Sequence, residues 1–284
     1  MSKKLIALDM DGTLLSTDKT ISPENKQAIR DAQAVGHVVM ICSGRPHVSL
    51  AEFLQEEGLA DLPISASNGT ITLVDDQVIN QVVMEQLVVK KVFDWLSEYE
   101  YPFNIYTDQG VFSHVAFFER AKRESEFDAG PGAGLFATDF AKATAYFEQI
   151  ITARFEHLAD LPADLGIFKF FVLTHDPAKK AAFKHFTSTL SGLTVTSSYS
   201  NNVEVSDARG HKGTGITAVA DYFGIATSDT VAMGDNFNDL GMLEVAGLAV
   251  AMGNAEADIK AIADIVTLSN DDHGVAHAIR EYVL

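Results

Sequence analysis

The sequence predicts an α/β protein whose core is a doubly wound parallel sheet, interrupted by an inserted α+β unit. Two observations lead to this fold class. Short apolar runs alternate with amphipathic stretches at both ends of the chain, which is typical of strands and helices that take turns along a parallel sheet. Between these segments the alternation is less regular. The predicted core therefore comprises residues 1–82 and 206–284, and the predicted insert comprises residues 83–205.

The first core segment has clear start and turn signals. Ser22-Pro23 is typical of a helix start, with serine as the N-cap and proline at the first helical position. Asn68-Gly69 is typical of a tight turn. In chain order the pattern predicts a strand at 5–8, a helix after residue 22, a strand at 37–42, a helix at about 47–57, a strand at 64–66, and hairpin strands at 71–73 and 78–82.

The insert and the second core segment follow with different regularity. In the insert the pattern predicts a helix at 88–99, strands at 103–106, 111–115 and 167–174, a helix at 177–190, and strands at 193–196 and 203–205. Residues 116–166 carry little pattern, and the glycine-rich stretch at 130–134 predicts a flexible break. From residue 210 the pattern predicts a helix to 223, a strand at 230–233, a helix at 236–245, a strand at 248–250, a helix at 255–263, and a last strand and helix.

Composition narrows the class of partner. The net charge of −18 would repel a polyanion such as a nucleic acid, and no dense run of lysine and arginine offsets it. No apolar stretch approaches the ~20 residues of a membrane span, and the N-terminus does not have the pattern of a signal peptide. The single cysteine, Cys42, has apolar neighbours, which favours a reduced, buried thiol in the cytoplasm. We expect a small-molecule substrate, no membrane or nucleic-acid partner, and a monomer or weak homo-oligomer.

The most informative motif is Asp9-Met10-Asp11-Gly12-Thr13, directly behind the apolar run 5–8. Residues two apart in an extended chain lie on the same side, so Asp9 and Asp11 can share one site if the backbone stays extended. Two carboxylates held so close repel each other, and the usual remedies are a shared proton or a bound cation. Two acids in an Asp-Gly turn are the alternative interpretation.

Polar clusters at three further positions favour a shared site of Asp9 and Asp11 over a simple turn. They are Ser43-Gly44-Arg45, Gly210-His211-Lys212-Gly213 and the run 234–239, Gly-Asp-Asn-Phe-Asn-Asp. Ligands of parallel sheets bind outside the carboxyl ends of the strands, so clusters that are distant in sequence are expected to converge there.

The chemistry of the four clusters is coherent. Asp9, Asp11 and Asp235 supply the hard oxygen ligands that suit Mg²⁺, with Asn236 beside them as a ligand or a supporting contact. A phosphate would be met by donors: the Ser43 hydroxyl, Lys212, the Met10 and Gly44 amides, and Asn238 in the first turn of a helix. A cation, a phosphate and two carboxylates indicate phosphoryl transfer, in which one aspartate attacks phosphorus and the other moves the proton.

This combination resembles the haloacid dehalogenase superfamily of phosphohydrolases, whose four motifs occur here in order: Asp-x-Asp-Gly-Thr at 9–13, Ser43, Lys212, and Gly-Asp-x-x-Asn-Asp at 234–239. The wider pattern is similar to the Cof-type branch, which carries an inserted α/β cap of type IIB between the second and third motifs. The stretches that match the branch are 41–46, 67–69, 212–213 and Asn270-Asp271-Asp272-His273-Gly274-Val275. The resemblance covers both core segments well and the insert weakly.

The resemblance implies a role for each site residue. Asp9 would be the nucleophile and Asp11 the general acid/base. Mg²⁺ would be held by Asp9, the Asp11 carbonyl, Asp235 and, as an open possibility, Asn236. Asp239 is expected behind the ligands, where it orients Lys212 or the metal. The phosphate contacts would be the Met10 amide, Ser43, Gly44, Lys212 and Asn238.

The preferred function is therefore a Mg²⁺-dependent phosphatase that hydrolyses a small phosphorylated metabolite, such as a sugar phosphate or a phosphorylated cofactor, through an aspartyl phosphate. The alternatives are a phosphomutase of a related cap type and a non-enzymatic phosphoacceptor domain. Asp11 and the large insert argue against the phosphoacceptor. The sequence leaves open the substrate, the specificity residues of the insert, whether Asn236 and Asp239 touch the metal directly, and the role of Arg45.

Overall fold

The computed structural model of the protein describes residues 2–125, 140–197 and 201–284. The predicted flexible break at 130–134 lies outside these residues. The chain divides into two compact units, one formed by Met1–Gln81 with Gly210–Leu284 and the other by Val82–Arg209. No helix within the described ranges is both long and apolar enough to cross a lipid bilayer.

The first core segment begins with a fully buried strand and continues as strands alternating with helices. The first helix starts as its sequence predicts, because the Ser22 side chain accepts a hydrogen bond from the Asn25 amide at 3.2 Å and Pro23 occupies the first turn. The elements are β1 (Leu5–Asp9), α1 (Pro23–Ala34), β2 (Val38–Cys42), α2 (His47–Glu56), β3 (Ile64–Ala66), β4 (Ile71–Val74) and β5 (Gln77–Gln81).

The inserted unit is built mainly on antiparallel strands. Its described elements are α3 (Gln86–Glu98), β6 (Phe103–Thr107), β7 (Gly110–His114), α4 (Phe117–Ser125), α5 (Phe140–Ile150), β8 (Ile151–Phe155), β9 (Ile167–Leu173), α6 (Pro177–Ser188), β10 (Leu193–Thr196) and β11 (Asn202–Asp207).

The second core segment returns to alternating helices and strands. Its elements are α7 (Lys212–Phe223), β12 (Thr230–Gly234), α8 (Leu240–Val245), β13 (Leu248–Ala251), α9 (Ala257–Ile262), β14 (Ile265–Val266) and α10 (Gly274–Tyr282).

The core sheet has the strand order β14-β13-β12-β1-β2-β3-β4-β5. The six strands from β14 to β3 are parallel, and β4 and β5 add an antiparallel hairpin at one edge. The chain moves outward from β1 through β2 and β3, and the second segment moves outward in the other direction through β12 and β13. The strand order therefore reverses between β1 and β12, and such a switch point is where ligands of doubly wound sheets bind. The predicted α/β core is confirmed.

The sheet of the inserted unit has the order β10-β11-β9-β6-β7-β8, antiparallel except for the pair β7 and β8. Alternate side chains of β9 enter two different cores. Phe170 and Val172 pack with side chains of α3 and α6, whereas Phe171 and Leu173 pack with side chains of α4 and α5. The inserted unit is thus an α+β layer structure with helices on both faces of its sheet.

The structure extends the insert at its second boundary. The predicted junction between residues 205 and 206 falls inside β11, because Ser206 pairs with Lys169 and Asp207 pairs with Leu193. The compact unit accordingly runs to Arg209. At the first junction the change is a single residue, since the unit starts at Val82 rather than at residue 83.

Among the described residues of the poorly patterned stretch, α4, α5 and β8 are elements that the sequence did not predict. In α4 the buried positions are Phe117, Ala121 and Glu124, so an acid interrupts the apolar stripe. Glu124 is buried because its carboxylate accepts hydrogen bonds from the Thr174 hydroxyl at 3.0 Å and from Lys179 at 2.5 Å. These partners are distant in sequence, which explains why the pattern gave no signal.

Gly69, in the first core segment, lies against the backbone of the second core segment at the start of α7. Gly69 has a φ of +91°, and a Cβ built there would collide with the backbone of His211 and Lys212. Gly58 also has a positive φ, +72°, but has open space around it. A substitution at Gly58 therefore tests backbone strain alone, whereas a substitution at Gly69 tests backbone strain together with a steric clash.

We predict that Gly69→Ala destabilises the protein more than Gly58→Ala. Left-handed strain costs about 1–2 kcal/mol at either position, and overpacking against the α7 backbone adds typically about 1–3 kcal/mol at Gly69 alone. Urea unfolding followed by circular dichroism measures both free energies. Equal losses for the two variants would show that the contact with His211 and Lys212 carries no weight.

Candidate active site

The ends of three neighbouring strands bring the predicted residues together. Asp9 is the last residue of β1, and it lies in register with Cys42, the last residue of β2, so Ser43 follows at the same edge. On the other side of β1, β12 ends at Gly234 and Asp235 follows directly. Lys212 is the first residue of α7. Residues separated by some 200 positions thus meet at one edge of the sheet because the parallel strands end there.

Lys212 is the centre of this arrangement. Its side chain is fully buried, and its ammonium donates to Oδ1 of Asp9 and, at 2.5 Å, to Oδ1 of Asp239. The other oxygen of Asp239 accepts hydrogen bonds from the amides of Asp235 at 2.9 Å and Asn236 at 3.0 Å. Asp239 therefore uses both oxygens to fix Lys212 and the turn after β12.

Burial and charge compete at the two partners of this contact. Burial raises the pKa of Asp9 well above its ordinary value, and the charge of Asp239 raises it further, while Lys212 opposes both. For Lys212, burial alone would lower the pKa, but the charges of Asp239 and Asp9 outweigh burial and raise it. Lys212 is consequently a permanent buried cation, and it keeps the carboxylate of Asp9 from being surrounded by negative charge alone.

A cation could be held beside this contact. Asp9, Asp235 and Asp239 each offer an oxygen, and the three oxygens lie within 4.8 Å of one another. Since both oxygens of Asp239 are engaged, Asp9 and Asp235 are the carboxylates best placed to bind a metal. Burial is the main cause that raises the pKa of Asp235 to about 6, and the charge of Asp239 is the second. A 3.1 Å hydrogen bond from the Thr13 hydroxyl acts in the opposite direction. Carboxylate oxygens are hard ligands of the kind that Mg²⁺ prefers, and a cation here would offset the repulsion among these carboxylates.

Asn236 supports the turn next to this cluster. Its side-chain oxygen accepts a 2.7 Å hydrogen bond from the amide of Phe237, so the residue caps the short helix at 237–239. Asn238 lies in that short helix and donates to the side-chain oxygen of Asn68 at 3.4 Å. Both residues therefore lie in the turn that follows Asp235, where Asn236 caps the short helix and Asn238 contacts the first core segment through Asn68.

Asp11 has its own set of partners. Arg45 donates to both of its oxygens, from Nε and Nη2, at 3.0 Å each, and Lys19 donates to Oδ1 at 3.1 Å. Burial alone would raise the pKa of Asp11, but the hydrogen bonds and charges of Arg45 and Lys19 outweigh burial and hold the pKa below its ordinary value. In this state Asp11 is an ionised carboxylate with a fixed orientation.

The predicted phosphate contacts surround the end of β1. Ser43 is buried, and its oxygen accepts a 3.2 Å hydrogen bond from the Arg45 amide, which leaves its hydroxyl proton as a donor. Gly44 lies between these two residues in the loop after β2. Met10 follows Asp9, and its carbonyl accepts from the Leu15 amide at 2.9 Å.

The family follows from comparisons with known proteins. A family model described as haloacid dehalogenase-like hydrolase matches residues 6–279. The chain belongs to the haloacid dehalogenase-like hydrolase family. This hydrolase is 34% identical to the phosphatase YwpJ of Bacillus subtilis over 98% of its own chain and 99% of that protein. The resemblance deduced from the four motifs is thus confirmed, as is the assignment of the chain as an enzyme.

Two further relatives and a solved structure agree. The hydrolase is 35% identical to the 5-amino-6-(5-phospho-D-ribitylamino)uracil phosphatase YwtE of Bacillus subtilis, over 97% of its chain and 96% of the relative. It is 30% identical to the pyridoxal phosphate phosphatase YbhA of Escherichia coli, over 100% of both chains. A haloacid dehalogenase-like hydrolase structure from Bacillus subtilis superimposes with a TM-score of 0.84 at 29% identity, covering 99% of this chain and 100% of that one.

Residues that sequence reasoning missed brace the loop that follows Asp11 in this hydrolase. Asn254 donates to the Gly12 carbonyl at 2.8 Å, and Asn270 donates to the Leu15 carbonyl at 2.9 Å. Asp271 accepts from the amide and the hydroxyl of Thr17 at 2.7 Å each. Asn270 and Asp271 lie in a motif that the resemblance had singled out, so a signal existed. Asn254 carries no pattern of its own.

We predict that Mg²⁺ raises the melting temperature more at about pH 7.5 than at about pH 5. The pKa of Asp235 is raised to about 6, so the folded state favours the protonated form of this residue. Without a cation, the stability that protonated Asp235 contributes is full at low pH and is lost as the pH rises through about 6. A Mg²⁺ ion bound by Asp235 would restore stability where this residue is ionised, and it would have to compete with protons where Asp235 is protonated. Differential scanning fluorimetry with the metal and with chelator measures the gain.

Two variants control this measurement. Asp235→Asn should lose the pH-dependent part of the gain, whereas Asp221→Asn, at an exposed position of α7, should keep it. A gain that is the same at both pH values would contradict a metal site at Asp235.

Proposed function

We propose that this enzyme is a Mg²⁺-dependent phosphatase that hydrolyses a small phosphorylated metabolite through an aspartyl phosphate on Asp9. The observation that carries the proposal is the buried contact of Lys212 with Asp9 at the end of β1. It fixes the carboxylate of Asp9 through one oxygen, and we assign the attack on phosphorus to this carboxylate. Lys212 also supplies positive charge where a phosphate dianion would approach three carboxylates.

Two steps follow from this placement. In the first step an oxygen of Asp9 forms a bond to phosphorus, the bond to the leaving oxygen breaks, and Asp11 gives that oxygen a proton. In the second step water attacks phosphorus, Asp11 takes the proton, and the bond to Asp9 breaks, which releases phosphate and restores both carboxyl groups. Asp11 holds no proton in the arrangement described above, so it must take one up before it can serve as the acid.

The remaining predicted residues would bind the phosphate group. The Ser43 hydroxyl, the Met10 and Gly44 amides and the Asn238 side chain supply neutral donors around the end of β1. Mg²⁺, held by Asp9 and Asp235 with the Asp11 carbonyl and Asn236 as further candidates, would supply positive charge that offsets the negative charge of the phosphate. Asp239 orients Lys212 and stays behind the ligands.

The substrate is proposed by class. YwtE and YbhA are named for a phosphorylated ribitylaminouracil and for pyridoxal phosphate, both small phosphate esters. A chain with a net charge of −18 captures an anion only through local cations, which argues against nucleic acid. The inserted unit contains none of the four motifs, so we assign it the choice among esters. A cytoplasmic location fits the single cysteine, Cys42, whose pKa burial raises to about 12.

We predict that Asp9→Asn abolishes hydrolysis of p-nitrophenyl phosphate while the fold is kept. An amide oxygen is too weak a nucleophile to form the phosphoenzyme, and asparagine has nearly the same shape as aspartate. Phosphate release in a screen of sugar phosphates, pyridoxal phosphate and nucleotides, each with Mg²⁺ and with chelator, compares the variants, and circular dichroism monitors the fold. Asp221→Asn is the matched control and should retain full activity.

Two outcomes would contradict the proposal. Substantial turnover by folded Asp9→Asn would exclude the covalent route, and full activity in excess chelator would exclude the metal. Transfer of phosphate to a second position of the same sugar, without release of inorganic phosphate, would favour a phosphomutase instead.

A further inference from the structure

Asp11 is held by a forked contact to Arg45. Nε of Arg45 donates to Oδ2 and Nη2 donates to Oδ1, at 3.0 Å each. Two parallel bonds from a planar guanidinium fix the plane of a carboxylate as well as its distance. The Asp11 side chain is 33% exposed and that of Arg45 is 22% exposed, so water screens this pair less than a pair at the open surface.

Arg45 is itself held in place. Its amide donates to the Ser43 oxygen at 3.2 Å, and its carbonyl accepts from the Ser67 amide at 2.9 Å. Its guanidinium lies over the ring of Phe53 in α2, 5.4 Å from the centroid. An exposed ion pair costs side-chain entropy to form and contributes little. Here the backbone contacts and Phe53 have already restricted Arg45.

Lys19 adds a weaker contact to the same carboxylate. It makes one bond to Oδ1 at 3.1 Å and its side chain is 61% exposed. It projects from the turn between Ser16 and Thr20, which Asp271 ties down through Thr17. A single exposed ammonium is screened by salt and fixes no plane. Arg45 is therefore the partner that defines the orientation of Asp11.

We propose that Arg45 is a positioning residue for the proton transfers of Asp11, and this rests on the phosphatase function proposed above. Arg45 fixes the plane of the carboxyl group and the direction in which its unshared oxygen lone pairs point. It acts on the reaction only through Asp11. The alternative is that Arg45 binds the substrate phosphate directly, and that role would not depend on Asp11.

A double-mutant cycle separates the two roles. The probes are phenyl phosphate, whose leaving phenolate needs a proton, and p-nitrophenyl phosphate, whose leaving group needs one far less. Arg45→Ala should lower kcat for phenyl phosphate on the order of 10²-fold, the typical cost of a misplaced catalytic group, with a smaller loss for p-nitrophenyl phosphate and little change in KM. In an Asp11→Asn background the same substitution should change kcat by no more than about twofold.

Three further variants sharpen the comparison. Arg45→Lys should recover only part of kcat, because one ammonium cannot make both bonds. Lys19→Ala should cost far less than Arg45→Ala. Arg30→Ala is the matched control, since Arg30 also contacts both oxygens of an aspartate, Asp61, at 2.9 and 2.8 Å but on the exposed surface, and it should leave kcat unchanged.

The inference is overturned if Arg45→Ala raises KM equally for both esters and costs as much in the Asp11→Asn background as in the wild type. A readout independent of turnover is the Nε–H NMR signal of Arg45, which should be protected from solvent exchange in the wild type and lose that protection in Asp11→Ala, which leaves no acceptor. Equal protection in both proteins would also overturn the inference. Failure of the wild type to hydrolyse any ester in the screen would instead contradict the proposed function.

Discussion

The site depends on one buried cation. Lys212 lies without solvent contact at the first residue of α7, where the helix dipole disfavours a positive charge. Burial of a charge costs several kcal/mol unless partners compensate for it. Asp9 and Asp239 supply that compensation, and their own burial is tolerable only because Lys212 is present. The arrangement is therefore mutual, and it fixes the carboxylate at the end of β1.

Other features follow from this contact. Asp239 reaches the amides after β12 with its second oxygen, so the turn that carries Asp235 is fixed by the same group that orients Lys212. Gly69 allows the turn after β3 to approach the backbone at the start of α7. The two core segments, separated in sequence by the inserted unit, are thus in close backbone contact where the chemistry is expected.

The sequence was sufficient for the features that depend on local pattern. Asp9, Ser43 and Asp235 end apolar runs, and parallel strands bring such ends to one edge. The fork from Arg45 to Asp11 could not be predicted, because nothing in the loop after β2 indicates which acid lies opposite. Helix α4 was not predicted because Glu124 interrupts its apolar stripe, and the burial of this acid is explained only by its hydrogen bonds with Thr174 and Lys179. The predicted boundary at 205 and 206 follows the last apolar residue of the pattern, whereas β11 continues through polar residues to Asp207.

Trapping the phosphoenzyme tests most directly the proposal that Lys212 holds Asp9 as the nucleophile. The enzyme is mixed with ³²P-labelled substrate, quenched in acid within one turnover, and digested for peptide mapping. If this proposal holds, the peptide that contains Asp9 carries a hydroxylamine-labile acyl phosphate, and it carries it on that residue. A label on Asp11 or on a histidine, or turnover without any labelled protein, would contradict it.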